Sequence, residues 1–132
     1  MVLRLEWNDR VLALLTGDIE QKAISDILRS GVSMKSQVLV MPHHGSKGSS
    51  PEMIVPAVGP EIGLISCRRD NRYGFPHPSV LGALRDVGAL ILRTDIDGAA
   101  WLCWDDDMGA LRIETAVSNR KNGRMQLFLP VY

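Results

Sequence analysis

Short apolar runs alternate with segments of helical spacing along most of the chain, and this alternation limits the possible folds more than any other feature. In chain order the predicted elements are a helix at 19–30, a strand at 37–41, a helix at 51–57, a strand at 61–67, a helix at 78–87 and a strand at 89–93. Parallel strands joined by helical crossovers explain this order. The pattern therefore predicts an α/β protein.

Antiparallel strands are expected at both ends of this α/β region. Residues 2–7 alternate between apolar and polar side chains, and residues 11–15 are mostly apolar, which predicts a hairpin from an edge strand to a buried strand. Residues 99–104 and 111–117 predict a final antiparallel pair. The sheet is therefore expected to be mixed.

A sheet made of these strands would bury apolar side chains on both faces. The three predicted helices are expected to lie mainly on one face, so the second face would need a partner. We expect a single partial domain over residues 1–117, followed by a polar linker and C-terminal tail over residues 118–132.

The charge balance excludes a dedicated nucleic-acid binder with a positive field over its whole surface. Fifteen basic residues offset fifteen acidic residues, so any contact with phosphate would be local. Cys67 and Cys103 lie far apart inside apolar runs and are predicted to be unpaired, buried thiols. No apolar stretch is long enough to span a bilayer and no signal segment is evident, so the chain as given is expected to be soluble.

The first of three polar loops places an acid directly after a buried strand. In open α/β sheets, ligands collect beyond the carboxyl ends of the strands, where such loops meet. Asp18 follows the strand at 11–15 and is a candidate metal ligand. The alternative is that Asp18 only caps the helix at 19–30, because Asp is a favoured N-cap and stands three residues before Gln21 as in a capping box.

The second loop carries two of the three histidines of the chain, His43 and His44, at the end of the strand at 37–41. Neutral imidazole is a common transition-metal ligand, and a strand end fixes its direction, so the pair is a candidate metal-binding group. The alternative is one core histidine beside one exposed histidine.

Groups suited to phosphate or to a nucleobase occupy the second and third loops. The donors of the second loop are Ser46, Lys47 and Ser49. In the third loop, the guanidinium of Arg72 suits bidentate binding of phosphate, and the ring of Tyr73 or of Phe75 suits stacking on a base. The alternative is that the third loop is only a solvated charged loop.

Three strings together, LLTGD at 14–18, PHHGS at 42–46 and NRYGFPHP at 71–78, resemble the metallo-β-lactamase fold and specifically the C-terminal hydrolase domain of ComEC-type competence proteins, the DNA-uptake channel family. The resemblance covers about residues 2–104. It implies that the chain is the C-terminal half of a metallo-β-lactamase-like αββα sandwich, with a mixed sheet and helices mainly on one face.

The same resemblance implies a site with two divalent metals, zinc or manganese, in the complete domain. Asp18 would bridge the two metals and one of the two adjacent histidines would be a terminal ligand, with His44 favoured and His43 the alternative. His77 would contact the substrate or the leaving group and is the candidate catalytic residue; the alternative is that it only precedes a helix.

The sequence departs from the family pattern in two places. The HxHxDH-type motif that supplies most metal ligands in the family is absent from the whole chain. Catalytic zinc usually has three protein ligands, so this chain is expected to be inactive alone, and one alternative is that it binds no metal. Phe75 stands where the family commonly has a histidine.

The leading hypothesis is therefore the C-terminal segment of a ComEC-like hydrolase that acts on DNA phosphodiesters during DNA uptake. Its expected partners are the missing N-terminal half of the domain and single-stranded DNA or another phosphodiester. The parent protein would lie in the inner membrane with this domain attached outside the bilayer. The alternatives are a non-catalytic nucleic-acid or protein-binding module, and a truncated half-domain that forms a homodimer through the uncovered sheet face.

Overall fold

The computed structural model describes residues 1–105, residues 110–117 and the backbone of residues 127–130. Its elements in chain order are β1 (Leu3–Trp7), β2 (Arg10–Leu15), α1 (Gln21–Arg29), β3 (Val38–Val40), α2 (Pro51–Val58), β4 (Ile62–Ile65), α3 (Pro78–Asp86), β5 (Leu90–Arg93), α4 (Thr94–Asp97), β6 (Ala100–Asp105), β7 (Ala110–Thr115) and β8 (Leu127–Pro130). Two short 3-10 turns, Pro42–Gly45 and Lys47–Ser49, follow β3. No helix of the described residues is both long enough and apolar enough to cross a membrane.

The chain divides into two compact units, residues 1–92 and residues 93–132. The strands of one sheet are ordered β1-β2-β3-β4-β5, and β6, β7 and β8 form a separate three-stranded sheet. The final antiparallel pair is confirmed, but it belongs to its own sheet and not to an edge of the first one. Residues 127–130, which the sequence assigned to a linker and tail, pair with β7 as a strand, while residues 118–126 and 131–132 lie outside the described part.

The predicted α/β architecture with a mixed sheet is confirmed in the first unit. β1 pairs antiparallel with β2 through a tight turn at Asn8 and Asp9, both in the left-handed region with φ of 49° and 59°. Asn and Asp tolerate this conformation, which suits the twist of a two-residue hairpin loop. β2, β3 and β4 are parallel, so their carboxyl ends lie along one edge of the sheet.

The helices pack on the sheet face that carries Leu14 and Leu39. These side chains belong to one core with residues of all three longer helices, namely Ile24, Ile54, Val55, Val58, Val80 and Leu84. Gly63 pairs with Leu39 on this face, and a Cβ there would lie 2.6 Å from Leu84 Cδ2. A side chain at this position would therefore force the buried Leu84 side chain, or α3 that carries it, to shift.

Apolar side chains also lie on the opposite face of the sheet, near the edge where the parallel strands end. Leu3, Leu15, Val40 and Leu64 are in register across β1, β2, β3 and β4, and they alternate with the positions that face the helices. Leu3 and Leu15 are 51% and 41% exposed, and the other two are half-buried. We call these four residues the apolar row.

Helix starts show where the local predictions succeed and fail. Pro51 and Pro78 open α2 and α3 as expected. The helix predicted at 19–30 begins two residues later, at Gln21, with Glu20 as its N-cap and no side-chain cap. The proposed capping box of Asp18 and Gln21 is therefore wrong, because Asp18 lies in a turn before the helix.

Candidate functional site

The three polar loops meet at the carboxyl edge of the parallel strands and line a cleft of about 870 Å³. Its lining residues come from the segments after β2, β3 and β4 and are Asp18, His43, His44, Ser66, Cys67, Arg68, Asp70, Asn71, Arg72, Tyr73 and Phe75. The strand ends thus bring together the acid and the histidine pair that the sequence singled out.

Hydrogen bonds of the backbone join the three loops to one another. The His43 N–H donates to Gly17 O at 3.0 Å, and the His77 N–H donates to Gly45 O at 2.8 Å. Behind them, the buried Thr16 hydroxyl donates to Val40 O at 2.6 Å, which fixes the start of the first loop against β3. The positions of the loop residues therefore depend on the sheet rather than on the loops alone.

The segment from His43 to Gly45 has an unusual backbone. His43, His44 and Gly45 have φ of 48°, 55° and 77°, so three consecutive residues are left-handed. This conformation costs a residue other than glycine on the order of 1–2 kcal/mol. Such strain is concentrated at functional sites, where the rest of the fold holds it in place. The two histidines are thus set into a strained turn whose side chains line the cleft.

The ring of His44 is oriented by one hydrogen bond. Its Nδ1 lies 2.8 Å from the carbonyl oxygen of Ser66, the residue that follows β4 by one position. Because a carbonyl only accepts, Nδ1 carries the proton and Nε2 keeps its lone pair. A backbone partner of this kind commonly orients a metal-ligating histidine.

His43 is held in a different way. Its Nδ1 is buried and makes no hydrogen bond among the described residues, but it lies at ion-pair distance, 3.5 Å, from Glu20 Oε1. The edge of its ring meets the Phe75 ring with the centroids 6.1 Å apart. Of the two histidines, His44 therefore has the more defined ligand geometry.

Asp18 stands exposed in the turn after β2, beside Gly17, which has φ of 55°. Since Glu20 occupies the N-cap position of α1, the capping role that competed with a ligand role for Asp18 does not apply. Its carboxylate lines the cleft together with the two histidines.

These groups do not form a complete metal site. Among the described residues, no three His, Cys, Asp or Glu side chains are close enough to hold one metal ion. A catalytic zinc usually takes three protein ligands, and a pair of metals needs more. The described residues of this chain therefore do not by themselves fit such a metal site.

The predicted phosphate donors of the second loop are not brought to the cleft. Ser46 and Ser49 are buried, and the Ser49 hydroxyl donates to Ser46 O at 2.6 Å. The Ser46 hydroxyl is buried without a partner among the described residues. Lys47 is exposed, and like the two serines it is absent from the lining.

His77 also lies outside the lining of the cleft. Its Nδ1 accepts the N–H of Ser79 at 3.2 Å and lies 2.8 Å from the Ser79 hydroxyl, so the side chain caps α3. The structure thus assigns it the local role that the sequence left open. A contact of His77 with substrate stays a prediction.

Asn71 organises the third loop, a role that the sequence reasoning missed. Its side-chain Oδ1 accepts the N–H of Phe75 at 2.8 Å, and its Nδ2 donates to Phe75 O at 2.7 Å and to Arg68 O at 2.9 Å. Gly74, at φ of 68°, closes the turn. The signal was an Asn followed three residues later by Gly, which is typical of a turn built on a side-chain amide.

Arg72 and Tyr73 project from this loop at the mouth of the cleft. The Arg72 Cζ lies 4.8 Å from the centre of the Tyr73 ring, and its Nη2 donates to the Tyr73 hydroxyl at 2.5 Å. The Tyr73 and Phe75 rings are stacked at 5.4 Å with 19° between their planes. The Cys67 thiol lies in the same cleft and is half-buried, whereas Cys103 is exposed, so the prediction that Cys103 is buried is wrong.

Comparison with known proteins finds relatives that match between 64% and 76% of this chain. The chain is 33% identical over 100 residues to "ComE operon protein 3" of Bacillus subtilis, covering 76% of this chain and 13% of that protein. It is 39% identical over 99 residues to "Competence protein ComA" of Neisseria gonorrhoeae, covering 74% and 14%, and 36% identical over 85 residues to "Recombination protein 2" of Haemophilus influenzae, covering 64% and 10%. No family model and no solved structure matches the chain.

The chain thus spans between 10% and 14% of the length of these relatives. They confirm the predicted resemblance to competence proteins, while the metallo-β-lactamase fold and the hydrolase activity stay predictions. By these matches, the chain is homologous to a segment of competence proteins.

Proposed function

We propose that this chain supplies the second half of a metal-dependent phosphodiesterase site that acts on DNA during uptake. The observation that carries the proposal is the cleft at the strand ends, where Asp18 and His44 face one space and Ser66 leaves His44 Nε2 open for a ligand bond. The relatives named for competence support the setting in DNA uptake.

In this proposal, Asp18 and His44 hold part of a pair of divalent metals, zinc or manganese, and His43 is the alternative to His44. Bound metals of this kind activate water and neutralise charge on the phosphate. The remaining ligands come from a segment outside this chain, because the described residues offer no complete set. The chain alone is therefore expected to be inactive.

The apolar row suggests where that segment packs. Leu15, Val40 and Leu64 lie on the sheet face opposite the core helices, towards the carboxyl ends of their strands. Val38 and Ile62, on the same face, are already fully buried, so only the end of the face with the apolar row is open. A second half-domain there would bury the apolar row and reach the edge that carries Asp18 and the histidines. This arrangement is the two-halved metallo-β-lactamase-like sandwich, with a second copy of this chain as the alternative occupant.

The proposed phosphate-binding residues are arginines of the third loop. Arg68 and Arg72 line the cleft, and a guanidinium binds a phosphate through two parallel hydrogen bonds. Their charges would bind the DNA backbone beside the metals. In the complete protein, this part would lie outside the bilayer of the inner membrane.

A chimera tests the proposal directly. The matching 100-residue segment of the Bacillus subtilis relative would be replaced by this chain, and cleavage of labelled single-stranded DNA would be measured with manganese or zinc. We expect cleavage that chelator abolishes. The variants Asp18→Ala and His44→Ala should each lose it by at least about 100-fold, a loss of roughly 2.7 kcal/mol of transition-state stabilisation.

The matched control is Asp26→Ala, because Asp26 is an acid of the same unit on the exposed side of α1 and does not line the cleft. Its chimera should cleave at the rate of the unmodified chimera. Cleavage that is indifferent to Asp18→Ala and His44→Ala would contradict the proposal, and so would a chimera that folds but cleaves no DNA.

A further inference from the structure

One edge of the five-stranded sheet is open among the described residues. β1 is the end strand in the order β1-β2-β3-β4-β5, and all five of its residues, Leu3–Trp7, are exposed. The end strand of a sheet presents a row of backbone N–H and C=O groups that can pair with a strand of another chain. We call the outer side of Leu3–Trp7 the β1 edge.

The side chains of β1 alternate regularly between the two faces of the sheet. The irregularity in its pairing skips one residue of β2, so the five residues of β1 stay consecutive. Leu3, Leu5 and Trp7 therefore lie on the face that carries the apolar row. Arg4 and Glu6 lie on the opposite face, where their side chains form an exposed ion pair.

The order of side chains along β1 is self-complementary. From either end it reads apolar, charged, apolar, charged, apolar, and the two charges have opposite signs. A second β1 that runs antiparallel about a two-fold axis at Leu5 would place Arg4 opposite Glu6 of the second copy, and Leu3 opposite its Trp7. Opposite charges and apolar side chains that face each other directly across two strands stabilise their pairing.

Charge selects this register over the others. A two-fold axis at Arg4 or at Glu6 would place like charges opposite each other, and so would a parallel pair in the same register. A shift by one residue would place apolar side chains opposite charged ones and turn the apolar face of one copy to the other side. Only the antiparallel register centred on Leu5 satisfies both charges.

We propose that the β1 edge pairs antiparallel with the β1 edge of a second copy of this chain, centred on Leu5, and joins two five-stranded sheets into one. A contact of this kind is isologous and closes at the dimer. Charged residues on an edge strand usually prevent pairing. Here the charges of each copy instead meet opposite charges of the other.

This dimer differs from a homodimer through the uncovered sheet face. Its contact is the edge of the sheet, so the apolar row and the cleft stay open in both copies. The two-fold axis stands perpendicular to the sheet, and the apolar face of one copy therefore continues into that of the other. The inference goes beyond the proposed phosphodiesterase function and does not depend on it.

Size exclusion with light scattering tests the inference on the full 132-residue chain, and sedimentation equilibrium gives the dissociation constant. We expect twice the mass of one chain, which is 14.6 kDa. Arg4→Glu and Glu6→Arg each leave charges of one sign on the β1 edge. Each should raise the dissociation constant of the dimer about 10-fold or more, because two attractive pairs become repulsive. Circular dichroism checks that each variant is folded.

A mixture of the two variants separates pairing between copies from effects within one copy. In a mixed dimer, every acid of one β1 edge again faces a base of the other, so the mixture should associate about as tightly as the unmodified chain. The ion pair within one strand is lost in both variants, and mixing does not restore it. Lys22→Glu also reverses one partner of an exposed ion pair, but on α1, and this matched control should dimerise as the unmodified chain does.

A chain that is monomeric at every concentration would overturn the inference and leave the β1 edge to a strand from outside this chain. An assembly larger than a dimer would contradict the closed two-fold contact. A dimer that tolerates both charge reversals, or a mixture that fails to associate, would refute pairing at this edge and assign the contact to another surface. None of these measurements involves metal or DNA, so they can fail while the chimera cleaves DNA, and the reverse.

Discussion

Replacement of Gly45 by alanine should weaken the junction between the second and third loops more than any other change of one methyl group there. Gly45 has φ of 77°, and a Cβ on it would lie 3.0 Å from Pro76 Cβ and 3.2 Å from Ile65 Cγ2. Both neighbours are buried, and Ile65 is only 1% exposed. The methyl group therefore has no open space to enter.

Three terms set the expected loss of unfolding free energy. The left-handed conformation costs alanine about 1–2 kcal/mol relative to glycine. Crowding in a packed region adds about 1–3 kcal/mol. The stiffer unfolded chain of the alanine variant returns about 0.4–1 kcal/mol. We expect a net loss of roughly 1.5–4 kcal/mol for Gly45→Ala.

Urea unfolding followed by far-ultraviolet circular dichroism measures this loss, provided that the slope of free energy against urea is unchanged. Gly74→Ala is the matched control, because Gly74 has φ of 68° but nothing within 4 Å of its Cβ position. It should lose only the conformational term, about 1 kcal/mol. If Gly45→Ala were no more destabilising than Gly74→Ala, the tight contact with Pro76 and Ile65 would be refuted.

Three further substitutions test contacts that position the cleft. Thr16→Val should cost about 1–2 kcal/mol of unfolding free energy, since the Val40 carbonyl loses a 2.6 Å hydrogen bond. Thr115→Val is the control, because the Thr115 hydroxyl makes a weaker, 3.3 Å bond to Val117 O, and equal losses would contradict the argument. Asn71→Ala should cost about 1–3 kcal/mol and speed hydrogen exchange at the Phe75 amide, and unchanged exchange there would count against it. Gly63→Ala should cost about 1–3 kcal/mol through the 2.6 Å approach to Leu84, and a Gly63→Ala, Leu84→Ala double variant that shows purely additive losses would show that the two do not touch.

Local sequence signals predicted the positions of helices and strands better than they predicted which strands share a sheet. Asn8 and Asp9 marked the hairpin turn, and Pro51 and Pro78 marked two helix starts, because each of these residues acts through its own backbone preferences. The separate sheet of β6, β7 and β8 depends on pairing between distant segments. No local pattern at residues 127–130 shows which strand they will meet.

The candidate site was predictable where it depends on strand ends and not where it depends on the path of the second loop. Asp18, His43 and His44 follow parallel strands directly, so the sheet brings them to one cleft. The two histidines and Gly45 are left-handed, and after this turn Ser46 and Ser49 are buried instead of facing phosphate. Histidine is enriched among residues with positive φ, but only a few per cent of residues other than glycine have a positive φ, so the sequence alone does not predict this turn.

That turn also bears on the meaning of the histidine pair. Glycine or asparagine at positions 43 and 44 would adopt the observed φ values with less strain, and glycine would also remove the buried Nδ1 of His43, which makes no hydrogen bond among the described residues and lies 3.5 Å from the Glu20 carboxylate. Two histidines there lower the stability of the isolated chain by on the order of 2 kcal/mol, which the single hydrogen bond from His44 to Ser66 only partly offsets. A ligand that binds the two histidine rings in the folded state alone is expected to raise the free energy of unfolding again, by mass action. In the proposed function, the ligand that offsets this strain would be held jointly by this chain and a segment outside it.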